Sequence, residues 1–169
     1  METIDAIMTR RSIRKYTDRA VPDELVSQLL KAAMAAPSAG NEQAWQFIVI
    51  RDRALLDAIP KFHPYSAMLK YASVAVLVCG DLTLEKYKGF WVQDCSAATQ
   101  NLLLAATAKG LGAVWTGVYP LEDRVAGMRK LLNLPEHVIP LSLVPIGYPA
   151  EQPAKADRFN TGRVHKDRW

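Results

Sequence analysis

A chain of 169 residues is long enough for one domain with a full hydrophobic core, and too short for two generous ones. Half of its residues are apolar and 22% are charged, an ordinary balance, and the formal net charge is only +4. That excess is small for a protein of duplex nucleic acid. With no helix-turn-helix, zinc-finger or stacking-strand signature beside it, it favours a small anionic ligand over DNA. Cys79 and Cys95 make neither a disulfide framework nor a metal pattern, and His63, His137 and His165 lack ligand spacing or a nucleophile partner. All three histidines are expected to be structural or superficial, with no metal bound. The acidic, amphipathic N-terminus is not a signal peptide, and the longest apolar runs fall short of a membrane span. The expectation is a protein of the reducing cytoplasm, without a membrane or nucleic-acid partner.

In chain order, Thr3 is positioned to cap a short helix through Arg10, with Ile4, Ile7 and Met8 on one side. The stretch Arg10-Arg11-Ser12-Ile13-Arg14-Lys15-Tyr16 follows, extended from Ser12. It brings four cations and a serine hydroxyl within seven residues at a backbone bend. Guanidinium forks at such a bend suit an anion, because arginine pairs with phosphate oxygens two at a time. Pro22, Asp23 and Glu24 open a second helix with charge suited to its positive end, and Leu25, Val26, Leu29, Leu30, Ala33 and Met34 form its apolar face. Pro37 stops it, and Pro37-Ser38-Ala39-Gly40-Asn41 is a loop of turn formers. Gln46–Ile50 reads as a strand, Arg53–Ile59 as a helix, and Phe62–Lys70 as a loop or short helix. Val74–Cys79 is a nearly continuous apolar run, the pattern of a central strand covered on both faces.

Thr83–Gly89 has no clear periodicity. Trp91–Lys109 is the longest helix, its Ala97, Ala98, Leu102, Leu104 and Ala105 spaced so that most of its circumference is buried, and Gly110-Leu111-Gly112 ends it. Ala113–Tyr119 reads as a strand, Glu122–Leu132 as a helix and Ile139–Ile146 as a strand. The basic segment from Pro149 onward has no periodicity, so it needs another surface to order against. Trp45 and Trp115 are expected in the core. Neither the dinucleotide nor the nucleoside-triphosphate glycine loop is present. Helices and strands alternate through connections too irregular for a doubly wound sheet, which indicates a single α+β domain.

With these pieces in place, the chain resembles the FMN-dependent nitroreductase family in its short form. The likeness rests on Arg10–Tyr16, on Pro37-Ser38-Ala39-Gly40-Asn41-Glu42-Gln43-Ala44-Trp45, on Gly110-Leu111-Gly112-Ala113-Val114-Trp115-Thr116-Gly117, and on the tail Arg158–Trp169. Ala44 departs from the family's usual proline before the tryptophan. The resemblance implies a three-layer α/β/α sandwich around a mainly antiparallel sheet, and an intertwined homodimer with two FMN sites at its interface. It implies a C-terminal tail, residues 150–169, that extends over the partner. Arg10 and Ser12 would hold the FMN phosphate and ribityl region, with Arg11 close by and Arg158, or alternatively Arg163, as a further phosphate ligand. Arg14 would meet the N1/O2 edge, and Thr116 and Gly117 would bring backbone N–H groups to N5 and O4. Pro37, Ser38, Ala39 and Asn41 would come from the other subunit. The implied activity is hydride transfer from NADH or NADPH through the flavin to a nitroaromatic or quinone, in ping-pong order. No protein acid or base is obligatory, because the cofactor carries the chemistry.

Overall fold

The computed structural model describes residues 1–154 and 156–169. Its centre is a sheet in which β2 (Val74–Asp81) and β5 (Val138–Gly147) pair antiparallel, with β1 (Trp45–Ile50) on the outer side of β2. Two short strands, β3 (Gly112–Ala113) and β4 (Thr116–Gly117), pair in succession along the far side of β5. The expected strand 113–119 is therefore an edge strand broken at Val114-Trp115, where the chain leaves the ladder. Trp115 sits at that break and is 37% exposed, not in the core.

β2 behaves as its unbroken apolar run predicts, with every residue buried. Alternate residues serve opposite faces. Val74, Val76 and Val78 pack with α2 (Asp23–Met34) and α4 (Trp91–Ala108), whereas Ala75, Leu77 and Cys79 pack with Leu56 of α3 (Arg53–Ala58), Leu69, and Met128 of α5 (Glu122–Leu132). The result is the expected three-layer α/β/α sandwich around an antiparallel sheet. α4 buries Trp91, Cys95, Ala98, Leu102, Leu103 and Ala106, and ends in a left-handed Gly110 from which Leu111 N–H reaches back to Ala106 O at 2.8 Å.

The N-terminal bend is docked on the sheet edge. Ser12 bridges in parallel to Ala113, and Ile13 N–H donates to Ala113 O at 3.0 Å. Two glycines make the room: a side chain at Gly112 would collide with Ile13, and one at Gly147 with the ring of Tyr16. The Glu151 carboxylate then accepts the backbone N–H groups of Arg14 and Lys15 at 2.6 and 3.1 Å, lacing the bend to the start of the tail.

α1 (Thr3–Thr9) departs from expectation in two ways. Thr3 lies inside the helix, and Glu2 precedes it without a side-chain cap. Ile4, Ile7 and Met8 are exposed, leaving Ala6 as the buried residue. On α2, Val26, Leu29 and Ala33 are buried as expected but Met34 is half exposed.

Leu143 on β5 is fully buried, between Leu77 of β2 and Thr116 of β4. Leu143→Ala should cost about 2–5 kcal/mol of unfolding free energy, measured in urea at fixed protein concentration. A loss below about 1 kcal/mol would contradict this account of the core.

Candidate functional site

The docked bend, the turn at residues 64–71 and the broken edge strand enclose a groove. One part, about 950 Å³, is lined by Ser12, Arg14, Lys15, Tyr16, Met68 and Tyr71, among others. An adjoining cleft of about 420 Å³ shares Arg14, Ala67 and Met68, and continues to Trp115, Thr116, Gly117 and Arg124. The bend and the Thr116-Gly117 strand, far apart in sequence, thus meet across one cavity, with Arg14 in both parts.

Beside this groove the positive charge concentrates. Burial, then the neighbouring guanidinium charges of Arg158 and Arg11, hold Arg10 below the usual arginine range. Arg11 spends its Nε on Ala154 O at 3.1 Å, and its NH1 on the carbonyls of Met8 and Arg10 at 2.9 and 2.7 Å. It ties the tail to the bend with much of its hydrogen-bonding capacity. Among the described residues the ion pairs are Arg51–Asp23 and Arg53–Asp57, so no carboxylate neutralises Arg10, Arg11 or Arg158. Three clustered guanidinium groups without a counter-charge repel one another, and a phosphate dianion relieves that cost while accepting bidentate bonds. The cluster therefore fits a phosphorylated cofactor. Of the two tail arginines, Arg158 is the one whose charge reaches Arg10. Arg163 lies in the exposed 3-10 turn Thr161–Arg163 and lines a separate groove with Arg158.

Thr116 is buried, its hydroxyl donating to Leu143 O at 2.8 Å, and Gly117 is partly exposed. The Gly117 carbonyl accepts from two side chains: His63 Nε2 at 3.0 Å and Arg124 NH1 at 2.8 Å. His63 is fully buried, and burial followed by the Arg124 charge keeps its pKa below the ordinary value, so the ring is neutral with its proton on Nε2. Neither His63 nor Arg124 is recognisable as a site residue in the sequence. Arg124 sits in a Glu-Asp-Arg run that reads as a solvated helix start. On the same helix a side chain at Gly127 would strike the Phe62 ring, so α5 lies close against it.

The loop Pro37-Ser38-Ala39-Asn41 is not brought to this groove. It packs elsewhere, with Ala39 N–H donating to Asp94 Oδ1 of α4 at 3.0 Å and Ser38 Oγ accepting from Gln43 N–H at 3.1 Å. Gly40, at φ 51°, lies against the ring of Tyr87. Beneath the loop is a buried carboxyl pair. Glu42 accepts the backbone N–H groups of Lys86 and Tyr87 at 2.6 and 3.0 Å. Burial works to raise its pKa, but those bonds and Asp94 outweigh it and hold Glu42 below the ordinary value. Asp94 is pushed up, first by burial and then by its bond to Glu42 and the Glu42 charge, against the lowering effect of Ala39 N–H. Glu42 Oε1 and Asp94 Oδ2 have no other donor. A carboxyl proton on Asp94, shared with Glu42, satisfies both.

Comparison with known proteins agrees with this geometry. The sandwich has the fold of solved nitroreductases, and the chain belongs to the Nitroreductase family, whose model matches residues 7–78 and 65–148. A protein of Methanothermobacter thermautotrophicus, provisionally named an NADH dehydrogenase/NAD(P)H nitroreductase, is 60% identical over 100% of this chain and 88% of its own length. The crystal structure of a Parabacteroides distasonis protein of the same provisional name superposes with a TM-score of 0.96 at 44% identity, covering 99% of this chain and 98% of that one. A Desulfovibrio desulfuricans nitroreductase-type protein solved in complex with FMN superposes with a TM-score of 0.87 at 33% identity, covering 100% of this chain and 98% of that one. No described helix is long and apolar enough to cross a membrane.

Because Asp94 is raised in the folded state, the parent protein loses stability as pH climbs from the ordinary carboxylate range through the raised value. Asp94→Asn keeps an acceptor for Ala39 N–H and offers Glu42 a donor without a charge. In thermal unfolding it should be more stable than the parent at pH 8, with the gap closing towards pH 4. A gap that does not change with pH would contradict the shared-proton assignment.

Proposed function

We propose that the chain is an FMN-dependent NAD(P)H oxidoreductase passing electrons to an electron-poor acceptor, a nitroaromatic or a quinone. It works as a homodimer with two FMN sites at the interface. The observation that carries this reading is that Arg10, Arg11 and Arg158 act on one another's charge with no carboxylate partner among the described residues, on the bend whose Ser12 and Arg14 line a groove reaching Thr116 and Gly117. Family membership and the FMN complex of the Desulfovibrio relative support it.

Arg10 and Arg158 grip the phosphate, with Arg163 further along the tail, while Arg11 secures the bend that carries them. The Ser12 hydroxyl meets the phosphate and ribityl region. Arg14, shared by both parts of the groove, lies at the N1/O2 edge, where its fixed charge favours the reduced form over the oxidised one. The backbone of Thr116 and Gly117 faces N5 and O4. The partner chain supplies Pro37, Ser38, Ala39 and Asn41, which agrees with that loop lying away from its own chain's groove. The partner also covers the tail, whose Phe159, Val164 and Trp169 are exposed in the single chain, and the apolar side of α1.

The chemistry supplied by bound FMN is hydride acceptance from NADH or NADPH at N5, followed by electron delivery to the acceptor. Donor and acceptor use one open face in turn, which gives ping-pong kinetics. The chain's contribution is binding, orientation and fixed positive charge, and no side chain acts as an obligatory acid or base.

The purified protein should be yellow, or become so with added FMN, and should oxidise NADH or NADPH in the presence of a quinone or nitroaromatic. Arg10→Ala removes a charge-assisted phosphate bond worth about 1.5–3 kcal/mol, so FMN affinity measured by fluorescence quenching should fall about tenfold or more. A protein that stays colourless with excess FMN would overturn the proposal. One that binds FMN yet oxidises neither nicotinamide faster than free flavin would be a non-catalytic carrier.

A further inference from the structure

We propose that Arg124 makes the acceptor side of this cleft selective for electron-poor aromatic molecules that carry a negative charge, such as nitroaryl carboxylates, over neutral ones. The inference rests on the oxidoreductase reading above and names the substrate class of the same site.

Four observations carry it. First, the cleft of about 420 Å³ is lined by two guanidinium side chains, Arg14 and Arg124, and by no carboxylate. Arg14 is engaged at the cofactor edge in the proposed function, which leaves Arg124 as the free charge.

Second, Arg124 is held in place. NH1 donates to Gly117 O at 2.8 Å, and the guanidinium centre lies 5.2 Å from the centre of the Tyr65 ring. Gly127, one turn along, lets α5 sit close against Phe62. A pinned guanidinium loses little freedom on binding, and preorganisation of this kind converts into affinity.

Third, its charge is not spent within the chain. Arg124 takes part in no ion pair among the described residues. The adjacent Asp123 instead accepts the Arg124 backbone N–H on Oδ1 at 2.8 Å. The Arg124 Nε is buried without a partner. A guanidinium presents five N–H donors, and the structure assigns one of them.

Fourth, Tyr65 and Trp115 flank the same cleft with exposed rings, surfaces on which an aromatic acceptor can lie. A flat ring on Tyr65 or Trp115 with an anionic substituent directed at Arg124 uses both features. A neutral nitroarene or quinone uses only the rings, and leaves a partly desolvated cation without a counter-ion.

The reaction concerned balances simply. A nitro group takes two electrons and two protons and loses one oxygen as water, becoming a nitroso group, while NADH or NADPH is oxidised to NAD+ or NADP+.

The test compares 4-nitrobenzoate with 4-nitrobenzamide, nearly equal in shape and differing in charge. The carboxylate withdraws electrons less strongly than the amide, so intrinsic reactivity does not favour the anion. FMN-loaded protein should show a kcat/KM at least about tenfold higher for 4-nitrobenzoate, Arg124→Gln should bring the ratio down about tenfold, and Arg124→Lys should keep part of it. As a readout apart from turnover, benzoate should perturb the flavin absorbance of the oxidised parent, with a dissociation constant about tenfold weaker in Arg124→Gln, while the benzamide titration is unchanged. If the parent treats the two nitro compounds alike, or if the preference survives Arg124→Gln, the proposal is wrong while the oxidoreductase reading stands. If neither compound nor a quinone is reduced, that reading fails, and the benzoate titration still decides whether Arg124 holds an anion. Should Arg124→Gln not retain flavin, the parent ratio and the Arg124→Lys variant decide alone.

Discussion

Positive charge without a counter-charge sets the terms for this molecule. Arg10, Arg11 and Arg158 are drawn together by the docking of the N-terminal bend on the sheet edge and by the lacing of the tail onto that bend. Mutual repulsion between guanidinium groups is tolerated in a folded chain when packing elsewhere holds their backbones in place, and here the bonds from Glu151 and the fit of Ile13 and Tyr16 over two glycines do so. The cluster then stores a demand for an anion. In the proposed function, that is how a fold with an ordinary composition and a modest net charge binds a phosphate.

The broken edge strand is the second half of the design. An unbroken strand would continue the ladder and close the edge; the departure at Val114-Trp115 opens it and puts Gly117 where its carbonyl can be met from outside the sheet. His63 and Arg124 both donate to that carbonyl, so a peptide that lines the groove is fixed by side-chain donors. Neutral His63 contributes geometry there, and Arg124 contributes geometry and charge. On the other face, Asp94 of α4 accepts the Ala39 N–H and lies against Glu42, whose charge helps to hold the Asp94 carboxyl above the ordinary range. In the proposed dimer each site therefore joins a cationic groove from one chain to a loop from the other, and each half is braced by its own buried polar contacts.

Much of this was legible in the sequence where one local pattern had one structural solution. The unbroken apolar run Val74–Cys79 can be satisfied only by cover on both faces, and it is. The crowding of arginines at a bend near Ser12 suits an anion, and the structure sets Arg10 within reach of the charges of Arg11 and Arg158. Legibility failed where the deciding partner is remote or absent. Ile4, Ile7 and Met8 were correctly seen as one apolar side, but periodicity says that a face must be covered and not by what, and within the single chain it is open. Trp115 belongs in the core by the sequence reading, yet it sits at the strand break and is exposed. Asp94 and Glu42 lie on different elements with no local pattern joining them. Nothing local marks Arg124 in the helix Glu122–Leu132, because its partners, Gly117 O and the Tyr65 ring, lie on other elements.

The central claim is that each flavin site is completed by two copies of this chain. Native mass spectrometry of the FMN-loaded protein tests it most directly. The account predicts a dimer carrying two FMN molecules, with flavin lost as the dimer is dissociated into monomers. A monomer that retains FMN one to one would contradict it.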